Sequence, residues 1–199
     1  RQKWCDLHSA IARAESPAAA REGWRSGATL MTAVTANPAR KHGEAGTYNH
    51  HCSVVMIGGC GVLIEGASGS GKTSLALGLL EACQSRCIEG ALVTDDQALL
   101  VCDGENLKAF APKAIRGMAE VRGYGIVELP FKESATIHLI ARLVDDTQVD
   151  RMPEEKNLTH LGKLALPRPI PVCDLPHRHE AQGIRIVMAV LAKRFGLRP

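Results

Sequence analysis

The sequence predicts an α/β domain with a strand-rich core and a C-terminal helix, and its grounds are local. Short β-rich runs on either side of a Gly-Gly pair lead into a glycine-rich loop, and the residues after that loop show helical periodicity. Residues 91–145 read almost wholly as strand and turn. Parallel strands each followed by a long helix do not fit into that stretch.

Taken in order, residues 1–50 are rich in Ala, Gly, Arg and Thr and form an N-terminal arm, while residues 51–199 carry the remaining features as one domain. Within the arm, Ser16-Pro17 is suited to cap a short helix over residues 18–22, and Met31 offers a second start for the natural chain. From Ser53, the runs SVVMI and GVLIE flank Gly58-Gly59, which is the pattern of a hairpin. Beyond the glycine loop, Ala76, Leu79, Leu80 and Cys83 recur at helical spacing and predict a helix from Gly71 to about Cys83. Strands are expected at residues 91–94, 98–102, 125–129 and 136–144. The stretch LPRPIPV, residues 166–172, reads as a proline-rich connector. After it, Ile184, Val187, Met188 and Leu191 share one face of a helix from about Glu180.

Composition narrows the class. With 199 residues, 45% hydrophobic and 23% charged, the chain can build one core without metal or disulfide staples. A formal charge of +3 is too small to point to a polyanion, so no nucleic-acid partner is expected. The longest uncharged apolar run, Cys52 to Ile64, is shorter than a bilayer crossing and is broken by glycines, so no membrane partner is expected either. No hydrophobic signal segment opens the sequence. The seven cysteines, odd in number and without a CxxC pair, read as buried thiols in a reducing cytoplasm.

The segment Gly66-Ala67-Ser68-Gly69-Ser70-Gly71-Lys72-Thr73 matches G-x-x-x-x-G-K-[ST] between an expected strand and an expected helix. Such a loop lets backbone N–H groups converge on phosphate oxygens at the positive end of a helix. Lys72 can reach the outer phosphates of a nucleotide such as ATP, and the Thr73 hydroxyl can ligate Mg²⁺. Asp95-Asp96 follow a short strand 23 residues after Lys72. Carboxylates there can hold the metal or take a proton from an incoming hydroxyl. Since paired carboxylates repel, one is expected to be neutralised by Mg²⁺ or a cation, leaving one for metal and one for base.

Three blocks in order resemble the catalytic domain of bacterial HPr kinase/phosphorylase. They are His51 with GGCGVLIEGASGSGKT, then LVTDDQALL, then IRGMAEVRGYGIVEL, and the likeness is strong over about residues 51–129. The resemblance implies transfer of phosphate from ATP to a serine of HPr, the phosphocarrier of the sugar phosphotransferase system, with phosphorolysis as the reverse in some members. It implies Lys72 on the outer phosphates, Thr73, Asp95 and Glu120 around Mg²⁺, and Asp96 as proton acceptor with His51 beside it. Arg122 and Arg151 correspond to arginines that steady the transferring phosphate. It also implies a strand-rich scaffold like that of phosphoenolpyruvate carboxykinase, a homo-oligomer that is commonly hexameric, and a cytoplasmic location.

The likeness departs from long family members in places. Those carry an extra N-terminal domain and a Glu directly after the loop's Ser/Thr, where Ser74 stands here. Their proline-glycine-arginine turn, important for dephosphorylation, reads VCDLPHRHEAQ here. Two other readings of the same loop are a small-molecule kinase and a nucleotide-binding regulatory module without catalysis. Outside the three blocks, Cys173, His177 and His179 are ligand types suited to zinc but lack a fourth ligand at a standard spacing, so they read as a solvated loop. His50 and His51 are strand neighbours that face opposite ways, and spacing favours His51 for the loop. His138, in an apolar strand, reads as a packed, hydrogen-bonded residue.

Overall fold

Alternating apolar residues build a curled sheet whose two faces bury separate cores. The computed structural model describes residues 47–197. The helix expected over residues 18–22, Met31 and Cys5 lie outside that range. The strands are β1 (Tyr48–His50), β2 (Ser53–Ile57), β3 (Cys60–Glu65), β4 (Gly90–Thr94), β5 (Ala98–Asp103), β6 (Asn106–Phe110), β7 (Met118–Val121), β8 (Gly125–Glu128), β9 (Ser134–Val144), β10 (Lys156–Leu161) and β11 (Leu164–Pro176). The helices are α1 (Lys72–Ser85) and α2 (Glu180–Phe195). The architecture is the expected α/β one, rich in strands and closed by a C-terminal helix.

The main sheet runs β1-β5-β6-β9-β3-β2-β4, and β11 joins the second half of β9, with β10 beyond it. β2 and β3 form the expected antiparallel hairpin, while β3, β9 and β11 run parallel at the centre. Successive residues face opposite ways along each strand. Val55, Ile57, Val62, Ile64, Leu139 and Ala141 therefore point to one side, where Leu75, Leu79, Val187 and Leu191 of the two helices cover them. Val54, Leu63, Val93, Ile137 and Ile140 point to the other side, against Leu100, Leu107 and Ile170. Each such fully buried aliphatic side chain contributes about 1.5–3 kcal/mol. The two helices are thereby pinned over the end of β3 from which the glycine loop leaves.

The proline-rich stretch is a strand, not a connector. Pro167, Pro169 and Pro171 share one parity, so their nitrogens, which cannot donate, all face the same edge. That edge is the one away from β10, since Ile170 and Val172 align with Leu158 and Lys156. Pairing with β9 begins only at Val172, after the last of these three prolines. The expectation of uniformly buried thiols also needs correction. Cys52 and Cys83 are buried and Cys60, Cys102 and Cys173 partly so, but Cys87 is exposed in the turn after α1. No helix among the described residues is long and apolar enough to cross a membrane.

Candidate active site

The site begins where β3 stops at Glu65 and the chain turns through Gly66–Gly71 into α1. Gly71, the residue before the helix, has φ +102, and Gly66 has φ +155 with Leu143 so close that a Cβ would lie 2.9 Å from its Cβ. Only glycine takes these conformations without strain. Ser70 N–H donates to the Ala67 carbonyl at 3.1 Å, which tightens the loop, and Arg178 N–H donates to the Ser70 carbonyl at 3.1 Å, which ties it to the segment before α2. Lys72 folds back so that Nζ donates to the carbonyls of Gly66 and Ala67, both at 3.1 Å. Burial pushes its ammonium below the ordinary range, with Asp96 and Asp95 pulling the other way. The buried Ser70 hydroxyl has no hydrogen-bond partner, a polar atom turned into the loop without a use inside the protein.

β4 delivers the acidic pair. Asp95 is 5% exposed and accepts from Ser53 Oγ at 2.6 Å, from Thr73 Oγ1 at 3.0 and 3.1 Å, and from the Glu120 N–H at 3.4 Å. Asp96 is the opposite: its backbone has φ +64 and its side chain is 63% exposed toward the cavity. His51 Nδ1 lies 2.7 Å from the Asp96 carbonyl and 4.0 Å from its carboxylate. A carbonyl only accepts, so Nδ1 of His51 carries the proton. Its neighbour His50 faces away and meets Glu65 at 3.4 Å.

A cavity of about 470 Å³ collects these groups. His51, Ser68, Gly69, Gly71, Lys72, Thr73, Asp96, Glu120 and Arg122 line it. Glu120 ends the β7 strand side and Arg122 sits in the turn to β8, where its guanidinium lies within 4 Å of the position a Gly69 Cβ would take. Glu120 and Arg122 are not paired across that hairpin, as Glu120 aligns with Ile126. Arg151 is not in this group. It lines a second cavity, of about 690 Å³, between β11, α2 and residues 146–156, which touches the first only through Pro176 and His179.

Thr73, Asp95 and Glu120 offer hard oxygens at one end of the phosphate loop. Mg²⁺ suits such a set, because it binds through one or two carboxylates and completes its shell with phosphate oxygens and water. The residues present therefore fit that ion. Two contributors were not legible in the sequence. Ser53 was read only as the start of a strand, yet its hydroxyl makes the shortest bond to Asp95. Arg178, with φ +63, reaches the loop from the far end of the chain, and its signal was no more than an arginine after a proline turn. Of the other singled-out residues, His138 is packed as expected: Nδ1 accepts from the Gly61 N–H at 3.2 Å, the ring meets Phe195 edge-on, and burial lowers its pKa. His177 and His179 lie against Asp145 and Asp146 at 3.4 and 3.0 Å. The Cys173 thiol is pushed up to about 12, chiefly by burial, with Asp174 adding to it.

Comparison with known proteins agrees with this geometry. Residues 44–192 match the HPr Serine kinase C-terminal domain. The chain belongs to that family. It is 30% identical over 156 residues to the HPr kinase/phosphorylase of Lactobacillus acidophilus, covering 73% of this chain and 45% of that protein. The HPr kinase/phosphorylase of Chlorobium chlorochromatii is 28% identical over 162 residues, covering 75% and 45%. The chain thus spans about half the length of the curated relatives it matches. Among solved structures, the Hpr(Ser) kinase/phosphatase from Coxiella burnetii shares the fold, with a TM-score of 0.61 and 22% identity over 75% of this chain and 92% of that one. An HPr kinase C-terminal domain is thereby the frame in which the cavity is read.

Proposed function

We propose that the protein is an ATP-dependent serine kinase that phosphorylates HPr, with residues 51–199 as its catalytic unit and the cytoplasm as its location. The observation that carries this reading is the exposed Asp96 carboxylate, tied through its backbone to His51, in one cavity with Lys72 and the phosphate loop. Serine is a poor nucleophile at neutral pH, so a carboxylate placed to accept its proton lowers the barrier to attack. In the step proposed, the serine Oγ forms a bond to the γ-phosphorus, the bond from that phosphorus to the β–γ bridging oxygen breaks, and the serine proton passes to Asp96. The electron pair of the broken bond leaves on ADP. Protonated Asp96 can return the proton in the reverse, phosphorolytic direction.

Phosphoryl transfer otherwise depends on positioning and on cations facing the equatorial oxygens. Lys72 and Arg122 are the cations assigned here, with His51 holding Asp96 in place. Lys72 is held by backbone carbonyls alone, so it can turn to a phosphate without breaking an ion pair. Thr73, Asp95 and Glu120 would hold Mg²⁺, which when bound neutralises phosphate charge. A homo-oligomer is part of the same reading.

The test is to incubate the protein with Mg-ATP and HPr and read the intact mass of HPr, repeating with Asp96→Asn and Lys72→Ala. The reading expects one acid-stable phosphate from the wild type and none from either variant within the same time. Unmodified HPr in the presence of bound ATP would remove this substrate and leave a small-molecule kinase or a regulatory nucleotide sensor.

A further inference from the structure

The cavity does not end at the phosphate loop. Past Thr73 it continues between α1 and α2, where Ser74, Leu77, Arg178, His179, Glu180 and Gly183 form its walls. A loop of this type has a direction: the lysine serves the outer phosphates, and the backbone at the start of the helix serves the inner ones. Asp96 and His51 mark the acceptor end. The nucleoside of a bound nucleotide therefore leaves toward the α1–α2 end.

One polar group in that wall has no use within the protein. The Glu180 carboxylate makes no hydrogen bond or ion pair among the described residues, although it stands in the first turn of α2 with a cavity in front of it. It leans over α1 at Gly78, where a Cβ would lie 2.5 Å from Oε1 and 2.7 Å from Ile184 Cδ1. A glycine inside a helix is unfavourable, and here its missing side chain is what leaves room for the carboxylate. Burial raises the Glu180 pKa, and the nearby Glu81 adds to that. Each of these features works against keeping an acid at this position unless donors arrive from outside.

Resting on the nucleotide-binding reading above, we infer that Glu180 accepts hydrogen bonds from the ribose hydroxyls of the donor nucleotide and so selects ribonucleotides. The chemistry is that of a paired acceptor meeting a vicinal diol: two carboxylate oxygens take the 2′ and 3′ O–H donors, as an acidic residue does for the ribose of a dinucleotide. Leu77 on the facing wall supplies apolar surface beside it.

Calorimetric titration of the full chain separates this inference from the reading beneath it. The ligands are Mg-ATP, Mg-2′,3′-dideoxy-ATP and inorganic tripolyphosphate, and the proteins are the wild type, Glu180→Ala and Glu180→Gln, each checked for an unchanged thermal melt shape. The wild type should bind ATP about tenfold to a hundredfold more tightly than dideoxy-ATP, the range set by hydrogen bonds to a charged group. Glu180→Ala should bring that ratio to about one by losing affinity for ATP alone, with Glu180→Gln in between. Tripolyphosphate, which has no ribose, should bind both variants as tightly as the wild type. An unchanged ATP to dideoxy-ATP ratio in Glu180→Ala overturns the role of Glu180 while the phosphate loop stands. An equal loss of ATP and tripolyphosphate assigns Glu180 to holding the loop and also overturns it. A wild type that binds none of the three ligands overturns the nucleotide reading itself, and this inference with it.

Discussion

The two cavities of the molecule differ in how their charges are partnered. In the larger one, Lys156 is held by Asp150 and Asp174, and Lys193 and Arg194 by Glu155. In the smaller one, Lys72 is held by carbonyls alone, while Arg122 and Arg178 have no carboxylate partner among the described residues. The buried Ser70 hydroxyl is likewise unpartnered. Charges that neutralise one another hold a surface together, whereas cations left to face an open loop await an anion. The contrast explains why the smaller cavity carries the chemistry despite its size.

The sharpest way to break this contrast is Lys72→Met. Loss of a cation aimed at developing phosphate charge should lower transfer to HPr by about 10²–10³-fold in an initial-rate assay. Stability should move the other way. The folded pKa of Lys72 is depressed below 10.5 by burial, so the unfolded chain binds the extra proton more readily. Wild-type stability therefore rises with pH only across the window from the depressed folded value up to 10.5. Below that window the buried charge is a cost, and Lys72→Met should melt above the wild type at neutral pH. A lower melting temperature would show that the two carbonyl bonds outweigh the burial.

Asp95→Ala should come next. It leaves the buried Ser53 hydroxyl without its acceptor, at about 1–3 kcal/mol, and should weaken Mg²⁺-dependent nucleotide binding in titrations. Arg151→Ala sharpens the comparison from the other side. Since Arg151 lines the second cavity, its loss should raise the KM for HPr several-fold, about 1 kcal/mol in effect, and leave ATP affinity unchanged. A fall in ATP affinity would join the two cavities functionally. The smallest effect belongs to Arg194→Ala, which breaks an exposed pair with Glu155: stability within about 1 kcal/mol of wild type by urea titration, and unchanged transfer.

Legibility followed locality. The hairpin of β2 and β3 was plain from its apolar runs and Gly-Gly turn, and α1 was placed to within a residue or two of Lys72–Ser85. Short strands of mixed composition were not seen. β6 holds Lys108 among apolar residues, and β10 exposes most of its length, so both owe their form to β5, β9 and β11 beside them. β11 was hidden by its prolines, because its tolerance for them depends on which edge is left unpaired.

The phosphate loop, its lysine and its threonine were determined by the sequence alone, since their spacing along the covalent chain leaves one way to turn from strand to helix. The acidic pair was equally visible, but its division was not. Only the tertiary structure turned Asp95 inward to Ser53 and Thr73 and left Asp96 open beside His51. It also brought Arg178 to Ser70 and put Arg151 in the second cavity. These outcomes depend on the register of strands far apart in the chain, and a one-residue shift in register would reverse every side chain involved.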